Sequence, residues 1–195
     1  MSTCFSKTNK HQFLVKCSLW IWGERVIINR VFARANKWTF QIPPIAELLS
    51  RYVDSGVWVD PFAGANSPAS ITNDMDGKQP TQYHLEAVEF CSSLTGIYDG
   101  VLIDPPYSYR QISEHYRGQG IKATYKDTSY NFYGRVYEAI SPKIKQGGYA
   151  ITCGWNSNGV GKVRGFEIVE ILLVAHGLHH NDTMVTVERK IQHQF

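Results

Sequence analysis

The stretch Tyr98-Asp-Gly-Val-Leu-Ile-Asp-Pro-Pro-Tyr107 constrains this chain more than any other. Val101-Leu-Ile103 is a β-branched-rich apolar run, the pattern of a strand buried on both faces, as in a parallel sheet. Pairing must then stop, because Pro105 and Pro106 have no N–H to donate to a ladder and their rings fix φ. They also push Asp104 towards extended geometry. The carboxylate of Asp104 and the ring of Tyr107 therefore sit on a stiff hook at the carboxyl end of a strand, where open α/β sheets bind ligands. Asp104 can accept hydrogen bonds there, and Tyr107 offers a flat face for stacking. Taken alone, Asp-Pro-Pro also serves as an ordinary turn.

Val57-Trp-Val-Asp-Pro-Phe-Ala-Gly64 repeats the design: apolar strand, acid, proline, then a small-residue turn. Two such strands, adjacent in a parallel sheet, line one pocket from both sides. Gly64 lets backbone approach a ligand, since no Cβ intervenes. Asn66, Ser67 and Pro68 follow, and Ser70-Ile-Thr-Asn-Asp74 already reads as the next strand. The intervening gap of about eight residues is short of the dozen or more that a parallel crossover takes, so the crossover helix is reduced to a turn or missing. Asp74, with Asp76 as the alternative, ends that strand, and on its own an acid there reads as a turn or helix cap. Pro80 to Leu94 reads as one helix, with Leu85, Val88, Phe90 and Leu94 as its apolar positions. The stretch from Asp76 to Tyr98 holds that helix but not a further strand as well.

The remaining segments fit around these two hooks. Residues 1 to about 18 start frayed, and Leu19–Trp22 with Arg25–Asn29 form two strands around a Gly-containing turn, as a hairpin or an edge addition. Asn36 to Pro44 is extended by its prolines, and Pro44 opens a helix over Ile45 to Val53, where Ile45, Leu48, Leu49 and Tyr52 share one face. Residues 108–130 interleave Tyr109, Tyr116, Tyr125 and Tyr130 with Arg110, Lys122 and Lys126 on a glycine-bearing loop, a composition suited to a polyanion with exposed bases. A helix follows over Tyr130 to Ile144, its last turn broken by Pro142. Gly147-Gly148 turns into a strand at Tyr149–Cys153, and Phe166–Val174 with Thr183–Arg189 form a closing pair of strands.

Composition narrows the function classes. No apolar run reaches the roughly 18 residues that span a membrane, and the four cysteines, Cys4, Cys17, Cys91 and Cys153, are scattered without a C-x-x-C pair. They read as reduced thiols of a cytoplasmic protein, with no metal site. A net charge of +3 permits nucleic-acid contact without demanding it, and the 11 Tyr and 5 Trp supply a surplus of stacking surface.

Asp104-Pro105-Pro106-Tyr107 resembles the catalytic D-P-P-Y motif of S-adenosylmethionine-dependent amino-methyltransferases, especially the adenine-N6 DNA methyltransferases. Asp60-Pro61-Phe62-Ala63-Gly64 resembles the D-P-F-x-G-x-G cofactor motif of the same enzymes, with Asn66 in place of the second glycine. Trp38, Thr39, Phe40 and Pro44 resemble the block that packs along the methionine end of the cofactor, although Trp38 alone also suits a core-plugging aromatic loop. The resemblance covers about residues 36 to 190. It implies S-adenosylmethionine held by Trp38, Thr39, Phe40, Asp60, Phe62, Gly64, Asp74 and Asp104. Asp60 would face the cofactor amino group, directly or through water, and Asp74 its ribose. Catalysis would fall to Asp104, Pro105, Pro106 and Tyr107, and substrate contact to Tyr107, Tyr109, Arg110, Lys122 and Lys126.

The fold expected is α/β: a Rossmann-like, mostly parallel methyltransferase sheet with a C-terminal antiparallel hairpin, lacking its first crossover helix and third strand. One domain spans 1–195, with an appendage over 1–35, a catalytic core over 36–195 and no separate target-recognition domain. The implied function is methyl transfer to adenine N6 in DNA, in the compact form of phage and mobile-element enzymes working in a host cytoplasm. Target recognition then rests on the 108–130 loop, the N-terminal strands, a partner or a second subunit of a homodimer. The alternatives are the same chemistry on RNA adenine, cytosine N4 or a protein amide, or a non-catalytic module that binds cofactor or nucleic acid.

Overall fold

The computed structural model describes residues 3–9, 12–21, 24–106, 132–177 and 180–191, with side chains described from Val26 onward. Nine strands form one sheet: β1 Thr3–Asn9, β2 Gln12–Ile21, β3 Glu24–Phe32, β4 Trp58–Asp60, β5 Ile71–Thr72, β6 Tyr98–Ile103, β7 Ile144–Gly154, β8 Phe166–Ala175 and β9 Thr183–Lys190. Their order across the sheet is β1-β2-β3-β8-β9-β7-β6-β4-β5. β5, β4, β6 and β7 run parallel, β9 pairs antiparallel with both β7 and β8, and β3 is parallel to β8. The chain leaves β4 outward to β5 and returns to β6 on the other side of β4. The carboxyl ends of β4 and β6 therefore flank the point where strand order reverses, the place at which such sheets open a crevice.

Helix α1 (Pro43–Tyr52) covers one face of the sheet, and α2 (Ala87–Ser93) with α3 (Phe132–Ile140) covers the other. Alternation along β6 feeds both cores: Leu102 packs with Ile45, Leu48 and Trp58 under α1, while Val101 and Ile103 pack with Phe90, Val136 and Ile140. α1 starts where Ile42 is extended and the two prolines, whose missing N–H groups cost a first turn nothing, occupy its opening positions. Across the β4–β6 pair Trp58 faces Gly100, and a Cβ on Gly100 would stand 2.4 Å from the indole. The glycine makes room for the largest side chain of that core. Glu170 on β8, fully buried, accepts from Asn29 of β3 at 3.0 Å, Arg51 at 2.8 Å and the Tyr52 hydroxyl at 2.8 Å. It locks β8 and β3 to α1.

The reduction expected from the sequence is present: no helix connects β4 to β5, and β5 is the edge strand. The third strand survives only as a single parallel bridge between Asn73 and Tyr83. That bridge corrects the expectation of one helix over Pro80–Leu94. Residues before Glu86 are extended, because Tyr83 exchanges backbone hydrogen bonds with Thr72 and Asp74, and the Gln82 side chain bonds Thr72 and Ser70. The helix starts only where the Glu86 carboxylate accepts from Val88 N and Glu89 N. Two further boundaries move. Three N-terminal strands form where a frayed start and two strands were expected, and Gly147-Gly148 lies inside β7, whose pairing with β6 shifts register there. Among the described residues no helix is long and apolar enough to cross a membrane.

Candidate active site

A cleft of about 160 Å³ opens at the carboxyl ends of β4 and β6. Its walls come from three segments: Lys37, Trp38, Thr39 and Phe40 before α1; Phe62, Ala63, Gly64 and Asn66 after β4; and Asp104 after β6. Six residues singled out from sequence, Trp38, Thr39, Phe40, Phe62, Gly64 and Asp104, thus meet around one space. Lys37, Ala63 and Asn66 join them.

The walls are held from behind. Asn36 Oδ1 accepts from Trp38 N at 3.1 Å, and the 3₁₀ turn Thr39–Gln41 aims Gln41 so that its Nε2 donates to Asn66 Oδ1 at 2.7 Å. Lys37 Nζ stands 4.8 Å above the Trp38 ring. Gly64 takes φ +51°, a left-handed value that glycine reaches without strain, and its N–H donates to Asp74 Oδ2 at 3.1 Å. Asn66, where a second glycine was expected, thus serves as an acceptor that ties the two loops together.

Asn73 is a residue the sequence reading missed. Fully buried, it donates from Nδ2 to Pro61 O and Leu85 O, and its Oδ1 accepts from Leu85 N. Its backbone bonds Asp60 and Ala63. One side chain thus fixes the turn after β4 against the segment leading into α2. Nothing local marks it, since an Asn after Ile-Thr reads only as a strand end.

Asp60 lies beneath the cleft rather than on its wall. It is fully buried, its Oδ1 accepts from Phe62 N at 2.8 Å and its Oδ2 from the Ser67 hydroxyl at 2.6 Å. Burial pushes its carboxyl up to about 7; those two hydrogen bonds oppose the rise, and the Asp104 and Asp74 charges add to it. Asp74 also accepts from Asp76 N, while Asp76 itself accepts from Lys78 N and Gln79 Nε2 in the following turn. The first turn of α3 reaches both hooks: the Tyr133 hydroxyl donates to Pro106 O, and the Phe132 ring meets Phe62 edge-on with centroids 6.3 Å apart. Pro105 is buried beside them. Tyr107, Tyr109, Arg110, Lys122 and Lys126 lie outside the described residues. Among the described residues no group of three or more His, Cys, Asp or Glu side chains is placed to hold a metal ion.

No protein-family model matches the sequence, and no curated protein matches it at a significant level. Solved structures do match the fold. TrmN from Thermus thermophilus superimposes with a TM-score of 0.54 at 16% identity, over 77% of this chain and 49% of that one. The N-methyltransferase NodS from Bradyrhizobium japonicum matches with a TM-score of 0.53 at 9% identity, over 75% and 94%. NSun6 from Pyrococcus horikoshii, solved with SFG, gives 0.52 at 11%, over 74% and 51%. This chain therefore spans about half the length of TrmN and of NSun6. At such identities the likeness is one of fold: the mixed sheet matches that of Rossmann-like methyltransferases, parallel from β5 through β7 and continued by the antiparallel β9–β8 pair, beyond which β3, β2 and β1 extend it here.

Proposed function

We propose that this chain transfers a methyl group from S-adenosylmethionine to the exocyclic N6 amino group of adenine in DNA. The observation that carries the reading is the position of Asp104. The acid of the D-P-P-Y sequence closes one end of a cleft whose other walls are aromatic rings and a glycine turn. The cleft suits the cofactor chemically: apolar faces from Trp38, Phe40 and Phe62, the Lys37 ammonium and the Asp104 carboxylate match a sulfonium compound bearing an amine, a carboxylate and a flat base. The backbone at Gly64 is left bare for close approach, with Trp38 3.5 Å from where a Cβ would stand. The volume is below the roughly 300 Å³ of a pocket that engulfs a whole ligand of drug size, so these residues take one end of it.

S-adenosylmethionine supplies an electrophilic methyl on sulfur. The chain's task is then to present the amine. An adenine amino nitrogen is a poor nucleophile because its lone pair is delocalised into the ring. Asp104 and the Pro105 carbonyl accept the amino hydrogens and turn the lone pair towards the methyl. Tyr133, by holding the Pro106 carbonyl, keeps that hook from shifting. Alignment of this kind supplies most of the gain. Asp74 binds the ribose hydroxyls, Tyr107 stacks on the base, and Tyr109, Arg110, Lys122 and Lys126 grip the strand. In duplex DNA the base must first leave the stack. Radiolabelled methyl transfer to unmethylated DNA, RNA and protein in parallel tests the reading: label in DNA supports it, and label confined to RNA or protein moves the acceptor.

A further inference from the structure

We infer that Trp155 is the acceptor-side wall of this site, receiving the flat face of the nucleobase whose amino group meets Asp104; the inference rests on the methyl-transfer reading above. Asp104 borders the cleft on its β6 side, while the turn after β4 fills the other. With the cofactor on the Gly64 side, an amine aimed at its methyl must approach from beyond Asp104, over the next strand. That strand is β7.

β6 and β7 are in parallel register with Ile103 opposite Thr152, so Asp104 and Cys153 follow as neighbours one step later. Side chains alternate along a strand, and Cys153 shares the α1 side of the sheet with Leu102. The Asp104 and Asp60 charges both act on the Cys153 thiol, as that adjacency requires. β7 ends at Gly154, so Trp155 opens the turn that leaves the carboxyl end of the strand next to β6, two residues beyond the Cys153 that neighbours Asp104. Its indole is 47% exposed, which is unusual for a side chain of this size standing at the ligand-binding edge of a sheet.

The loop bearing Trp155 is anchored at both ends. Gly154 pairs with Met184 of β9, and six residues later Val160 is fully buried. Glu188 of β9 accepts from Val160 N at 2.7 Å and Gly161 N at 2.9 Å, and Asn156 Oδ1 accepts from Asn158 N at 3.0 Å between them. With its loop held at both ends, Trp155 has little backbone freedom left to lose on binding.

The test compares the full chain with Trp155→Ala and Trp155→Phe. Stacking of one base on an aromatic corresponds to a loss of about tenfold or more on removal. We expect Trp155→Ala to raise KM for DNA by about that factor, with cofactor Kd by calorimetry and Tm unchanged, and Trp155→Phe to recover most of the loss. Oligodeoxyadenylate and oligoriboadenylate should both quench indole fluorescence in the wild type and quench it less in Trp155→Phe, the stronger of the two naming the acceptor strand. An unchanged KM, or an equal loss in cofactor affinity, overturns the inference. Quenching needs no turnover, so a wild type that transfers no methyl defeats the proposed function while fluorescence still decides the stacking.

Discussion

The backbone N–H of Gly64 donates to the Asp74 carboxylate at 3.1 Å, so the acid that follows β5 holds the glycine turn that follows β4. Two features that look independent in the sequence are one device. The bond leaves Asp74 with a structural task as well as the ribose contact proposed for it, and the two separate by substitution. Asp74→Asn keeps one oxygen for Gly64 N while removing the charge, and sets its NH₂ against the Asp76 N–H that the second carboxylate oxygen accepts. We expect Tm to fall modestly, by the equivalent of about 1–3 kcal/mol for the unmet donor, and cofactor Kd to rise roughly tenfold, in line with a charged hydrogen bond of about 1.5–3 kcal/mol becoming neutral. Calorimetry beside thermal denaturation checks both; a lowered Tm with unaltered Kd would leave Asp74 a purely structural role.

Tyr133 ties α3 to the D-P-P hook through one hydroxyl. Tyr133→Phe removes that donor and leaves the ring, which packs against Phe132 with centroids 5.4 Å apart. The fold should lose about 0.5–1.5 kcal/mol, the net worth of an ordinary hydrogen bond. kcat should fall more than cofactor affinity, because in the proposed mechanism the backbone that Tyr133 holds lies on the acceptor side of Asp104. A kcat equal to wild type would show that the hook stays in place without it.

Asp60 gives the fold a pH dependence of known sign. Its folded carboxyl titrates at about 7, against about 3.9 for an unfolded Asp. Between those values the folded state binds more protons than the unfolded one, so stability falls as pH rises from about 4 to 7 and levels off above. The contribution is on the order of a few kcal/mol, present in full below the unfolded pKa and lost as the folded pKa is passed. Asp60→Asn cannot titrate; its amide oxygen still accepts from Phe62 N, and its NH₂ can donate to the Ser67 hydroxyl. Urea unfolding at a series of pH values should show the slope in wild type and a much flatter profile in the variant. Equal slopes would mean that another group is responsible.

What could be read from the chain alone follows a physical line. The strands ending at Asp60 and Ile103 were legible because apolar, β-branched runs are cut off by proline, which is a local and unambiguous stop. α1 was legible because Pro43-Pro44 open it and Ile45, Leu48 and Leu49 share a face. Residues 81–85 were not, since Leu85 continues the helical spacing of Val88 and only the tertiary pairing of Tyr83 with the β5 edge makes the segment extended. The Asn73 clamp and the Tyr133 hydroxyl are equally invisible, both being contacts between segments far apart in sequence. At the cleft, spacing sufficed to bring Gly64 and Asp104 to one place, whereas the burial of Asp60 beneath it depends on how Ser67 folds back.

The central claim, that Asp104 presents an adenine amine for methylation, is met most directly by analysing product nucleosides. Unmethylated DNA incubated with the full chain and S-adenosylmethionine would be digested and its nucleosides resolved by mass spectrometry, with Asp104→Ala in parallel. We expect N6-methyladenine from the wild type, and a yield at least about a hundredfold lower from the variant, as for removal of a group that aligns the nucleophile. N6-methyladenine formed equally well by Asp104→Ala, or methyl groups found only on cytosine, would contradict it.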